Sequence, residues 1–299
     1  MKNIGRALML IMIIHNLTGC NINSYKDTAI KNTTPSISDS KKYEIANSKV
    51  LPIKDSSLNR QYELYIKLPE NYEKNKDYSY PVIYFTDAKW HMELLSSATE
   101  YLLDSVILVG ISWQLDMPED LLEEVGDHVS RYRDYTFSTS NNIAHQSKFN
   151  FGGATDHLQF IQEDVISFIE KKYRIDPNNR TYFGYSLGGA FGAYILLTKS
   201  KTFNHYILGS PSFNNNNKIL DSLFLSKRLD NKESNANIFI SYGSMEKELG
   251  EEVEVFANLL ESKKLSKQIV EGNHKTAFPK TGINSIEWLS ELYKQHQNE

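Results

Sequence analysis

The chain has one cysteine in 299 residues, Cys20, so no disulfide can form within it. Its eight histidines show neither an H-E-x-x-H spacing nor a cysteine partner, which leaves no metal-ligand pattern to read. No basic stripe interleaved with aromatics is present, and a formal net charge of −4 argues against a nucleic-acid partner. There is no internal repeat. The apolar run Ala7 to Ile14 is far short of the ~20 residues that a membrane-spanning helix needs. These absences point away from metal-dependent, nucleic-acid-binding and membrane-spanning proteins, and no cofactor is expected.

Lys2 and Arg6 precede that short apolar run, a pattern that reads as a secretory signal. The residues that follow it, Leu17-Thr18-Gly19-Cys20, resemble the lipobox of bacterial lipoproteins. The resemblance implies a signal peptide over 1–19, lipidation of Cys20 and a membrane contact through that lipid. Export to the periplasmic face of the inner or outer membrane, or to the cell surface, would follow. A plain signal peptide with an incidental cysteine is the alternative. Residues 20–47 are rich in Asn, Ser, Thr, Lys and Asp, too polar to offset their ordering entropy, and are expected to form a flexible tether. Residues 48–299 are long enough for one large domain.

Within that domain, Tyr62 to Pro69 alternates in polarity as a strand does, while Pro81 to Asp87 and Ser105 to Ile111 are continuous apolar runs. Phe160, Ile161, Val165, Ile166, Phe168, Ile169 and Tyr173 fall at helical spacing. Further strands are expected at His205–Gly209, Ile238–Tyr242 and Gln268–Val270. Helical patterns lie between them, around Ile219 to Leu229 and Val253 to Leu265, and a last helix spans Ile283 to Tyr293. Alternating strands and helices predict an α/β fold with a mainly parallel central sheet covered by helices on both faces. Ser112 to Asp156 is the exception, with no long period. It carries scattered aromatics and is expected to form a pocket wall or lid, with a packed surface loop as the alternative.

Gly184-Tyr185-Ser186-Leu187-Gly188 is the most informative stretch. A short β-branched and aromatic run, Arg180 to Phe183, precedes it, and small and apolar residues at helical spacing follow, Gly189 to Leu197. This is the strand–turn–helix setting that a G-x-S-x-G nucleophile elbow requires, with a structural turn as the alternative. A serine hydroxyl needs a base, and in Ser…Asp/Glu…His order the base follows the last strand. His274, just past Val270, fits that place, whereas His296 lies in the polar tail. The acid should follow Tyr242, where Glu246 needs less loop reach than Glu248; a Ser–His pair without a close acid remains open. Two backbone donors would hold the oxyanion, the Leu187 amide and one at Asp87 or Ala88. The Asp87 side chain is expected to brace that loop rather than to move protons.

At this point the chain resembles the putative-esterase family of the α/β-hydrolases, especially the group containing bacterial trilactone-siderophore esterases. The matching stretches include Pro81-Val82-Ile83-Tyr84, Gly110-Ile111-Ser112-Trp113, Arg133-Asp134-Tyr135-Thr136, Gly184 to Gly189, Ser210-Pro211-Ser212 and Gly272-Asn273-His274. The resemblance implies an α/β-hydrolase fold, Ser186 as nucleophile and His274 as base. Some family members are Ser–His dyads, which keeps the acid open. Trp113, Arg133 and Tyr135 are the candidate pocket residues. Two departures stand out: Tyr185 occupies a position where a histidine is usual, and Phe137 one where proline is usual. The expected function is that of an exported, lipid-anchored serine esterase acting on a small-molecule ester, such as a siderophore or acyl-sugar ester. An acyltransferase using the same serine, or a ligand-binding lipoprotein without catalysis, are the other readings.

Overall fold

The computed structural model describes residues 42–214, 235–260 and 264–296, with five further positions between 219 and 225. The expectations for the signal, Cys20 and most of the tether lie outside the described residues. Glu44–Glu299 forms one compact unit. Its sheet has eight strands: β1 (Ser48–Lys54), β2 (Gln61–Lys67), β3 (Tyr80–Phe85), β4 (Ile107–Ile111), β5 (Ile175–Tyr185), β6 (His205–Gly209), β7 (Asn237–Gly243) and β8 (Leu265–Val270). Their spatial order is β1-β2-β4-β3-β5-β6-β7-β8. β1 and β2 pair antiparallel with each other, β2 pairs antiparallel with β4, and every remaining pair is parallel.

The continuous apolar runs arise because the central strands are buried on both faces. Val82 and Tyr84 of β3 join the core on one side; Ile83 and Phe85 join the core on the other. α1 (Ala88–Leu102) supplies Met92 and Leu95 to the second core, where Ile286 and Leu289 of the last helix meet them. On the first face, α7 (Leu187–Thr198) is apolar all round and buried nearly throughout, as a helix at the centre of a core must be. α8 (Lys247–Leu260) adds Val253 and Phe256 to the same core. The α/β fold read from the alternation of strands and helices is observed, as is the α/β-hydrolase fold that the family resemblance implies.

Several elements differ from the sequence reading. β1 was not foreseen: it is an edge strand with Pro52 inside it and much of its surface in water, so it carries no apolar run. The segment 112–156 is not structureless. It forms α2 (Glu119–Val125), α3 (Arg131–Asp134) and α4 (Ile143–Phe149), and leads into α5 (Ala154–Phe160). Each is one or two turns long, too short for a period to stand out in sequence. α5 continues through a π-helical stretch, Ile161–Ile166, into α6 (Ser167–Lys172), so the helix expected from Phe160 starts two turns earlier. The last helix, α9 (His274–His296), likewise starts well before Ile283 and runs through Pro279. Of the helical pattern around Ile219 to Leu229, the described positions 219, 220, 222, 223 and 225 are helical, and the others lie outside the described residues.

β3 and β5 are parallel neighbours, with Phe85 beside Phe183. The helices that follow them, α1 and α7, therefore start side by side at the carboxyl edge of the sheet. Strand order reverses at this place, where open α/β sheets bind ligands.

Candidate active site

Ser186 sits between the end of β5 and the first residue of α7, with φ 58° and ψ −122°. A non-glycine residue held there is strained, and three backbone hydrogen bonds hold it. Its N–H donates to the Gly209 carbonyl at 2.9 Å, and its own carbonyl accepts from Ala190 at 3.0 Å and Ser212 at 3.1 Å. The flanking glycines are points of close approach. A Cβ on Gly184 would fall on the Gly188 carbonyl, and one on Gly188 would lie 2.5 Å from Thr86 Oγ1. Leu187 and Ala88 are the first residues of α7 and α1, so both amides belong to helix starts that have no intrahelical acceptor. Pairs of such donors on adjacent helix ends can hold a developing oxyanion.

Of the two acids considered, Glu246 reaches the histidine. Its Oε1 accepts from His274 Nδ1 at 2.5 Å, while its Oε2 accepts from the Gly243 N–H at 2.5 Å and from Ser210 Oγ at 2.8 Å. Burial pushes the Glu246 carboxyl up, but the hydrogen bonds from His274, Ser210 and Gly243 outweigh it and hold the group below the usual carboxylate range. The carboxylate side chain is 6% exposed and the imidazole 48%, so the acid is fixed and the base is open to a substrate. With Nδ1–H bonded to the carboxylate, the lone pair lies on Nε2, where a base needs it. Glu248 lies exposed in the first turn of α8 and takes no part in this pair.

Tyr185, directly before Ser186, ties the elbow to this pair. Its hydroxyl donates to the His274 carbonyl at 2.7 Å, and its ring lies 5.2 Å from the imidazole. Ser210 Oγ lies 2.8 Å from Glu246 Oε2 and 2.9 Å from the Tyr185 hydroxyl. One buried polar chain therefore runs from the His274 backbone through Tyr185 and Ser210 to the carboxylate. Tyr185 also packs edge-on to Phe278 at 5.0 Å, and Phe278 stacks on His91 of α1 at 4.7 Å. His91 Nδ1 lies 2.9 Å from the Thr86 carbonyl, and burial pushes its pKa down to about 4, so it stays neutral and braces the loop after β3.

Asp87 is fully buried and accepts from Trp113 Nε1 at 2.6 Å and from Arg131 Nε at 2.6 Å and Nη2 at 3.1 Å. It braces the loop after β3 through these three hydrogen bonds. The three candidate pocket residues, Trp113, Arg133 and Tyr135, all make close contacts within the protein. Trp113 is buried against Asp87, and Tyr135 is buried between Phe191 and His157 at 5.7 and 5.5 Å. Arg133 is spent on Asp134 at 2.7 Å and on Gln114 Oε1 at 2.6 Å. Trp113 and Tyr135 are buried, and the Arg133 guanidinium is largely enclosed by its two partners. An open cavity of about 520 Å³ is lined by Ser212, Asn214, Leu249 and Val255 with Glu248, Glu251 and Glu252 of α8. Among the described residues, no group of three or more His, Cys, Asp and Glu side chains is gathered to hold a metal ion.

An elbow serine, helix-end amides and a Glu-bonded histidine on one sheet edge are the parts of an α/β-hydrolase that cleaves carboxylic esters. The model of the family described as "Putative esterase" matches residues 55–297, and the chain belongs to that family. It is a carboxylic-ester hydrolase. Ferri-bacillibactin esterase BesA of Bacillus subtilis is 30% identical over 229 residues, covering 68% of this chain and 72% of the relative. Apo-salmochelin esterase of Escherichia coli is 28% identical over 142 residues, 44% of this chain and 42% of the relative. The solved BES protein from Bacillus cereus superposes with a TM-score of 0.70 at 22% identity, covering 85% of this chain and 99% of the other. Siderophore hydrolase EstA from Aspergillus nidulans superposes at 0.67 and 19%, covering 82% and 95%. At these identities the two structures speak for the fold.

The pair formed by Glu246 and His274 yields a pH-dependent expectation. Because the folded carboxyl sits below its unfolded value, the stability it contributes is present above the ordinary carboxylate range and is lost as pH falls through the folded value. Glu246→Gln should lower kcat/KM by about 10²- to 10⁴-fold near neutrality, because the amide cannot stabilise an imidazolium. The same variant should be less stable than the parent at pH 7, and the gap should shrink as pH is lowered below the ordinary carboxylate range, read by denaturant unfolding across that span. A stability gap that widens toward acid would contradict the assignment.

Proposed function

We propose that this chain is a serine esterase that opens the ester bonds of a siderophore through an acyl-enzyme on Ser186. Ser186 Oγ attacks the ester carbonyl as His274 Nε2 takes its proton, and the same proton then passes to the leaving alcohol. Water, deprotonated by His274, releases the acid and regenerates the serine. Leu187 and Ala88 supply the amides that hold each tetrahedral oxyanion, and Glu246 holds the imidazole in its Nε2-basic tautomer. The single observation that carries this reading is the 2.5 Å bond between Glu246 and His274, with Tyr185 binding that histidine to the elbow. The siderophore substrate is supported by relatives whose names specify bacillibactin and salmochelin.

The proposal includes an anchored location. The lipobox-like Leu17-Thr18-Gly19-Cys20 supports lipidation of Cys20 and a tether over 20–47 that carries the enzyme on the outer side of a bacterial membrane. Both parts are tested together by expressing the full chain in a bacterial host. Membrane fractions should hold a lipidated protein that hydrolyses a cyclic tri-ester siderophore to its linear forms, with the mass of one water gained for each bond cut. Cys20→Ser should move the protein out of the membrane fraction with turnover intact. Failure to cut any siderophore ester, alongside good turnover of simple esters, would remove the substrate and leave the esterase.

A further inference from the structure

Trp90 stands in the first turn of α1, two residues beyond the proposed oxyanion amide of Ala88, and remains 49% exposed. Its surroundings are built rather than incidental. Trp113 meets its ring edge-on at 4.8 Å, His128 lies at 5.2 Å, and the Arg131 guanidinium sits 4.9 Å from its centroid. Trp113 and Arg131 cannot swing away, because both donate to the buried Asp87 carboxylate. That carboxylate in turn abuts Gly188 in the first turn of the elbow helix, within 3.4 Å of where a Cβ would stand. One buried carboxylate therefore holds the aromatic cluster beside the nucleophile turn.

The charges of the cluster are already matched. Arg131 is paired with Asp87, and Lys89, over the Trp113 ring at 5.8 Å, is paired with Asp127 at 2.8 Å. Burial and the Arg131 charge hold His128 below the usual histidine range. What the cluster offers a ligand is a rigid, open indole surface rather than a net charge. A flat ring stacks on such a surface without first ordering it. We propose that Trp90, held by Trp113, His128 and Arg131, is a specificity subsite that stacks an aromatic ring carried by the ester substrate. This inference rests on the reading of Ser186 as nucleophile, and the two fail in different ways.

The test compares kcat/KM for two aromatic esters, ethyl 3-phenylpropanoate and benzyl acetate, with that for ethyl butyrate in each protein. In Trp90→Ala the aromatic-to-aliphatic ratio should fall about tenfold for at least one aromatic ester, mainly through KM, while Trp90→Phe keeps it within about twofold. Taking the ratio within one protein cancels any general loss from a disturbed loop, and Trp90→Leu replaces the alanine variant if that does not fold. A ratio unchanged in the truncated variant overturns the subsite. Ethyl butyrate hydrolysis that persists in Ser186→Ala would sink the nucleophile assignment instead, with the ratio still readable.

Discussion

Ser186→Ala should reduce kcat/KM for every ester by about 10⁴- to 10⁶-fold and leave the protein folded. The loss is that large because oxyanion donors and substrate binding survive but no atom remains to form the acyl-enzyme. Stability should change by no more than about 0.5 kcal/mol. Alanine has the same backbone preferences at φ 58° as serine, and the strained turn is held by main-chain bonds to Gly209, Ala190 and Ser212 that the substitution leaves in place. Initial rates on a short-chain p-nitrophenyl ester, alongside denaturant unfolding, check both halves. Turnover within tenfold of the parent would remove Ser186 from the chemistry.

His274→Ala should cost a comparable factor, and the double variant Ser186→Ala/His274→Ala should be no slower than either single one. Groups that act as one unit are not additive: once the base is gone the hydroxyl stays protonated, and its later removal loses nothing further. The fold should tolerate the change. The imidazole is 48% exposed, so water can reach the Glu246 oxygen that it leaves, and Ser210 and Gly243 still hold the other. Losses that multiply in the double variant would mean that the two residues act separately.

What could be foreseen in this chain was local. The elbow was legible because strand, glycine, serine and helix lie within a dozen consecutive residues, and because Gly184 and Gly188 have no room for a Cβ. The fold was legible from β3, β4 and the strands near Ile207 and Phe239, whose two-sided burial leaves unbroken apolar runs. β1 was hidden because an edge strand half in water has no such run. The packing of Trp113 and Tyr135 was hidden for a different reason. Trp113 and Tyr135 sit among polar residues in sequence, and only the fold shows that Asp87 and the Phe191 side of α7 bury them. Trp90 was passed over because it lies at the start of an otherwise regular helix. The chain of Tyr185, Ser210 and Glu246 joins the end of β5 to two loops that are far apart in sequence, and no spacing signals it. A tyrosine before the nucleophile was the one clue, a departure whose use appears only when its hydroxyl is seen on the His274 carbonyl.

The most direct test is to treat the fragment that begins near Tyr43 with a fluorophosphonate and map the modified peptide by mass spectrometry. One adduct on Ser186, formed rapidly in the parent, slowly in Glu246→Gln and not at all in His274→Ala, is the expected result. An intact, folded protein that takes no adduct at Ser186, or carries it on another residue while ester turnover continues, would contradict a Ser186–His274–Glu246 catalytic unit.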